Sequence, residues 1–201
     1  MGRQSNAKER LLVSAHRLFR DRGYETVGVA ELCSDAGVNK GSFYHFFSSK
    51  RELLLEVIAG AWDETGFLAS WEAETPKLPM DKLRQYLQEL FAYHYADREA
   101  TGHVCGSLLG NLALELSTSD REVAEKLDEL FKRETGAVAK LLAEATDLGE
   151  VSLGNPYRAA EAVVACLQGL LMMAKIRNDL DVLPDSETEL LRLAGVAQPW
   201  L

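Results

Sequence analysis

Lys40, Ser42, Tyr44 and His45 fall within six residues of one another, and each can donate a hydrogen bond to a nucleic acid. An ammonium group reaches guanine acceptors or a phosphate. Hydroxyl, phenol and imidazole groups donate to phosphate oxygens, contacts that position a protein on a duplex without specifying sequence. Gly41, lying among them, has no side chain and lets the backbone approach a ligand closely. Lys50 stands at the start of the next helical pattern, where its charge and nearby backbone N–H groups favour a phosphate. This is the chemistry of binding rather than of bond breaking. The chain has no phosphate-cradling glycine loop, nucleophile elbow or metal-ligand spacing, so no enzyme, cofactor or metal site is implied.

The elements that must position these groups read as two short helices and a tight turn. Residues 30–36 bury Val29, Leu32 and Cys33 on one side, Gly37 makes the turn, and residues 40–47 form the second helix. Two small helices joined by a glycine-containing turn form the unit that places one helix in the DNA major groove. Phe43 and Phe46 lie on the face opposite Lys40 and Tyr44 and are expected in the core. A preceding helix over residues 5–22 carries Leu11, Leu12, Ala15, Leu18 and Phe19 at helical spacing and ends at Gly23.

The chain is acidic, with a net charge of −9, but the charge is unevenly placed. The first 51 residues hold nine Lys/Arg and five Asp/Glu, net +4, and the remainder 13 and 26, net −13. A basic head on an acidic body suits a DNA reader joined to a separate regulatory part. A hydrophobic share of 47% supports a substantial core, and five prolines leave room for long helices. Cys33, Cys105 and Cys166 are odd in number and far apart, so no disulfide framework or zinc site is expected. No apolar run approaches the roughly 18 residues that span a membrane, and charged residues interrupt the N-terminal apolar stretch. A cytoplasmic protein without a membrane partner is the expectation.

Downstream, Ser49 and Glu52 form a capping box for a helix over residues 49–71, which connects the two halves before the prolines of EAETPKLPM. Asp81 opens a fifth helix that ends at Thr101-Gly102. The stretch CGSLLGNLALEL is apolar almost all round and reads as a buried central helix opened by Cys105. A seventh helix starts near Ser119-Asp120. Asn155 caps an eighth whose first turn accepts Pro156, and a last helix begins near Ser186. The fold is therefore all-α with about nine helices. Residues 1–48 form a three-helix helix-turn-helix domain and residues 49–201 a helical regulatory domain.

Over Gly23 to Leu54 the chain resembles the TetR-like family of bacterial transcriptional repressors. The resemblance rests on Gly23-Tyr24, Glu31-Leu32, Ala36-Gly37-Val38, Lys40-Gly41-Ser42-Phe43-Tyr44, and Phe47 with Lys50. Carried over position by position, it implies that Lys40, Gly41, Ser42, Tyr44, His45 and Lys50 face DNA. Family members often have a phosphate-touching threonine at the position of Gly28. Here Gly28 offers only its N–H, which leaves Thr26 as a nearby candidate.

The resemblance further implies a homodimer on a palindromic operator, paired through helices 156–178 and 186–197. The small-large pattern of Ala159, Ala162, Ala165 and Gly169 beside Leu167, Leu170 and Met173 suits such close packing. It also implies a chamber for a small apolar or amphipathic effector, with Trp62, Phe67, Trp71, Phe91, His94, Tyr95, Leu108, Asn111, Glu115, Gln168 and Met172 as candidates. Asn111 and Glu115, four apart, share a helix face. They either orient a ligand or cap neighbouring backbone groups. An alternative is a regulator without a small-molecule effector. Another is an electrophile or redox switch at Cys105, since some TetR-like repressors sense through a cysteine near this point, matched here by Ser107.

Overall fold

The structure is a computed structural model that describes residues 5–61 and 77–195. Among these residues all regular structure is helical. The helices are α1 (Ser5–Arg22), α2 (Val29–Asp35), α3 (Lys40–Phe46), α4 (Lys50–Gly60), α5 (Pro79–Thr101), α6 (Leu108–Leu116), α7 (Arg121–Asp147), α8 (Pro156–Arg177) and α9 (Val182–Leu193). The chain divides into two compact units. The first takes α1 to α4 together with residues 107–128, which comprise α6 and the start of α7. The second takes α5, the rest of α7, α8 and α9.

In the first unit Leu11, Ala15, Phe19, Val27, Leu32, Phe43, Phe47, Leu53, Leu54 and Ile58 are almost wholly removed from water. Burial of this kind is worth roughly 1.5–3 kcal/mol per large side chain, which is what holds helices as short as α2 and α3 in place. Gly23, at φ 84, and Gly37, at φ 61, supply the left-handed turns after α1 and α2 at no steric cost. The N-termini of α4, α6 and α8 are capped by side chains. Ser49 accepts from the Glu52 N–H, Ser107 from that of Gly110, and Asn155 from that of Arg158. The capping box at α4 differs in one detail: the Glu52 carboxylate reaches back to the N–H and hydroxyl of Ser48 rather than to Ser49.

Several boundaries differ from the sequence reading. α5 begins at Pro79, because proline is tolerated at a first helical position where its missing N–H would be unpaired anyway. The same reason lets α9 begin at Val182 with Pro184 in its first turn. α6 begins at Leu108, since Ser107 caps it, so Cys105 lies in the preceding bend and does not open the helix. Nor is α6 buried all round: Leu108, Leu112 and Leu116 are inside, but Leu114 is 78% exposed. The expected extension of the α4 helix to Trp71 lies outside the described residues.

The second unit is built on Leu83, Leu87, Phe91, Val138, Leu142, Val163, Leu167, Leu171 and Leu190. By length and composition α8 is long and apolar enough to cross a bilayer, which corrects the statement that no such run exists. Its charged residues, Arg158, Glu161, Lys175 and Arg177, stand at its ends, while Ala160, Val163, Val164, Leu167, Leu171 and Ala174 are buried in the core. One face of α8 packs into this core, and 33% of its apolar stretch is buried. Asn178, left-handed at φ 51, ends it, and its Oδ1 accepts from the Val104 N–H at 2.8 Å.

Candidate nucleic-acid interface

α3 is seven residues long and would be marginal alone. Two features fix it. The Asn39 side chain accepts from the Ser42 N–H at 2.8 Å, closing its N-terminus. Phe43, wholly buried, anchors its inner face, and Phe47 is buried just beyond its end. Phe46, expected inside, is only half-buried, and its ring meets that of His45 edge-on at 4.9 Å. The outer face then carries Lys40, Gly41, Tyr44 and His45, all exposed, with Tyr44 at 58% and Ser42 half-exposed. Gly41 has an internal reason as well: a Cβ there would come within 3.2 Å of the Asn39 Oδ1 that caps the helix.

The other candidates are placed differently. Gly28 is the N-cap of α2, extended and without a side-chain cap, with open space where a Cβ would stand. The Thr26 hydroxyl does not reach α2. It bonds to the Arg22 carbonyl at 2.7 Å and lies 3.3 Å from that of Gly23, so its single proton goes to closing the end of α1. The Lys50 ammonium is also engaged within the chain, donating to the carbonyls of Tyr24 and Val27 at 2.9 and 3.0 Å and lying 4.0 Å from the Tyr24 ring centroid. These contacts hold the segment that leads into α2, a role the sequence reading missed.

α2 is tied to α1 through Asp35, which accepts from Ser14 at 2.6 Å and pairs with Arg17. The Ser14 hydroxyl, and then the Arg17 guanidinium, hold its carboxyl below the usual carboxylate range against the pull of burial. α4 is tied to the start of α7 by Arg51, which is bidentate on Asp120 at 2.6 and 2.9 Å and also meets Glu122 at 2.8 Å. The Arg51 hydrogen bonds bring the Asp120 carboxyl down to about 2.

The residues expected to line an effector chamber fall in both units. Leu108, Asn111 and Glu115 belong to the first unit. There Asn111 Nδ2 donates to the Arg20 carbonyl at 3.1 Å, and Glu115 accepts from the Tyr24 and Glu25 N–H groups. Of the two readings of this polar pair, backbone capping is the one these contacts match. Phe91 and His94 are buried in the second unit, and the Tyr95 hydroxyl donates to the Leu180 carbonyl at 3.3 Å. Gln168 is half-buried with an unpartnered Oε1, and Met172 is 44% exposed. Trp62, Phe67 and Trp71 lie outside the described residues. A cavity of about 430 Å³ between α8 and α9 is lined by Cys166, Leu170, Arg177, Asp179, Asp181, Val182, Ser186 and Glu189, none of them an expected ligand contact.

Comparison with known proteins agrees with the helix-turn-helix geometry. Residues 11–57 match the family described as bacterial regulatory proteins, tetR family, and residues 79–187 match the tetracyclin repressor-like C-terminal domain. An uncharacterised HTH-type transcriptional regulator in the lacX 3' region of Lactococcus lactis is 31% identical over 193 residues, covering 93% of this chain and 92% of that protein. The HTH-type transcriptional repressor NemR of Escherichia coli is 26% identical over 190 residues, with 91% of each chain covered. The crystal structure of a regulatory protein TetR from Rhodobacter sphaeroides superposes with a TM-score of 0.80 at 28% identity, over 93% of this chain and 98% of that one. With both of its parts matched to tetR-family models and a 31% identical regulator covered over 92% of its length, the chain belongs to the TetR family of bacterial transcriptional regulators, which bind DNA and are not enzymes.

Proposed function

We propose that the protein is a homodimeric repressor that reads a palindromic operator through α3 and is released by a small apolar or amphipathic effector held in its helical body. In this reading residues 1–48 are the DNA-binding domain and residues 49–201 the regulatory and dimerisation domain. The observation that carries it is the division of α3, where Phe43 is buried while Lys40, Tyr44 and His45 are exposed on a capped, ordered helix. One such helix covers a single half-site, so pairing two copies doubles the contacts and matches a palindrome.

Dimerisation through α8 and α9 is supported by an uncovered face of α8. Ala162, Ala165, Met172 and Ile176 are exposed there, with Gly169 half-exposed, at spacings of three and four residues. Small residues at those spacings let a second copy of the helix approach closely. For the effector, the Gln168 Oε1 is a buried acceptor without a partner, and an unmet acceptor of this kind costs about 1–3 kcal/mol. A bound molecule carrying a hydrogen-bond donor would offset that cost. The test is a footprint of the purified protein on DNA flanking its own gene, run with sedimentation of wild type and Ala165→Glu. A protected palindrome bound by a wild-type dimer, and lost with the dimer in Ala165→Glu, is the expected result. A footprint kept by a monomeric variant would refute the dimer.

A second reading, a thiol switch, draws on one contact. The Cys105 Sγ lies 3.8 Å from Nε2 of His103 and 3.7 Å from the Thr101 hydroxyl in the bend before α6. These polar contacts single out Cys105 among the cysteines of the described residues, although it is only 1% exposed. Treating wild type and Cys105→Ala with an alkylating electrophile separates the readings: equal loss of DNA binding in both removes the switch.

A further inference from the structure

The segment between α1 and α2 is held from two sides. On one side Glu115 of α6 accepts from the Tyr24 N–H through Oε2 at 2.9 Å and from the Glu25 N–H through Oε1 at 2.8 Å. Each carboxylate oxygen takes one amide. Gly23 makes room for this approach, since a Cβ on it would stand 3.1 Å from the Glu115 Oε2. On the other side Lys50 holds the carbonyls of Tyr24 and Val27, and the Tyr24 ring packs edge-on against Phe19 at 5.3 Å. Asn111, one turn earlier on α6, holds the carbonyl of Arg20 at the end of α1. α2 then starts at Gly28 without a side-chain cap of its own. Glu31 of α2 also pairs with Arg22 at the end of α1, but the Tyr24 and Glu25 amides and the Tyr24 and Val27 carbonyls of the connecting segment are engaged by Glu115 on α6 and Lys50 on α4.

We infer that Glu115 is a positioning residue for DNA reading: its carboxylate clasps the two amides at the entry to the helix-turn-helix, so that the placement of α6 governs how α2 and α3 are presented. This rests on the reading that α3 meets DNA. The clasp gives α6 a defined lever on the reader, in which drawing the helix away by the length of one hydrogen bond frees both amides together. It also predicts a sign opposite to that of simple electrostatics. Removing a negative charge from a DNA-binding unit strengthens binding if charge is all that matters, whereas loss of the clasp weakens it.

The full-length protein is compared with Glu115→Gln, Glu115→Ala and Glu25→Gln on a double-stranded site selected by the wild type from a random pool. Glu25→Gln removes the same charge close by without touching the clasp. Amide exchange at Tyr24 and Glu25 is expected to quicken about tenfold in both Glu115 variants, and the Kd for the site to rise about tenfold, as befits hydrogen bonds to a charged acceptor. The slope of log Kd against log salt should stay that of the wild type, because no phosphate contact is lost. Glu25→Gln should bind as the wild type or tighter. If Glu115→Gln binds as tightly as Glu25→Gln, or if its loss of affinity is matched by loss of folded protein, the inference is overturned. Tyr44→Ala in the same assay keeps the two ideas apart, since full affinity there refutes the reading of α3 and not the clasp.

Discussion

Replacing Lys40 by alanine tests the placement of α3 with two independent readouts. The side chain is exposed at the first position of the helix, so its removal should change stability by no more than about 0.5 kcal/mol. On DNA the consequence is larger. A charge-assisted hydrogen bond is worth about 1.5 kcal/mol or more, and the proposed dimer would lose two of them, so affinity at low salt should fall roughly 150-fold. Each phosphate neutralised adds about 0.9 to the slope of log K against log salt, so two lost lysines lower that slope by about 1.8. Between 50 and 200 mM salt this narrows the gap between variant and wild type about twelvefold. Fluorescence anisotropy with a labelled operator, titrated at several KCl concentrations, measures both numbers, and a thermal melt covers stability. Parallel salt lines for the two proteins would refute the placement of Lys40 against the duplex. A melting temperature lowered by many degrees would show that the side chain supports the fold instead.

Phe43→Ala, one residue before the exposed Tyr44, should cost about 3–5 kcal/mol and unfold the first unit, because the ring is wholly buried; denaturant melts of Phe43→Ala and Tyr44→Ala should differ by most of that amount. Gly23→Ala should lose about 1–2 kcal/mol from the left-handed backbone alone, measured by the same melts, and an unchanged midpoint would contradict the geometry around Glu115. His16 on α1 is held down to about 4 by burial, helped by the nearby Arg20. The unfolded chain therefore binds the proton more readily, and stability should fall as pH drops from about 6.5 towards 4, by on the order of 3 kcal/mol. His16→Gln should flatten that window. Asp120, lowered to about 2 by Arg51, contributes stability that is complete above the ordinary aspartate range and is lost as pH falls through about 2. Arg51→Ala should move that loss to higher pH in an acid melt.

The parts of the fold that follow from neighbouring residues could be read in the sequence. Gly23, Gly37 and Gly102 mark turns, while Ser49 and Asn155 cap the helices that follow them. The alternation of Phe43 with Tyr44 divides α3 into an inner and an outer face. The parts that depend on partners far along the chain could not be read. Glu115 meets amides some 90 residues away, and Arg51 meets Asp120 at a separation of 69. No periodicity within either helix points to those contacts. Lys50 reads as a phosphate contact from its charge and the nearby backbone N–H groups, and nothing close to it in sequence signals the two carbonyls and the aromatic ring that engage its ammonium. The last helix, expected from about Ser186, starts at Val182, since a proline such as Pro184 is at home in a first helical turn.

The shortness of α3 has a thermodynamic consequence. Seven residues span about 10 Å, too few turns to hold together in water without tertiary support. The Asn39 cap and the buried Phe43 and Phe47 order this helix when the protein folds, before any DNA arrives. Association with an operator then buries little apolar surface through new folding, so the reading step itself should carry only a small negative heat-capacity change. A large one, measured by calorimetry across a range of temperatures, would have to arise from ordering elsewhere in the chain or from deformation of the DNA.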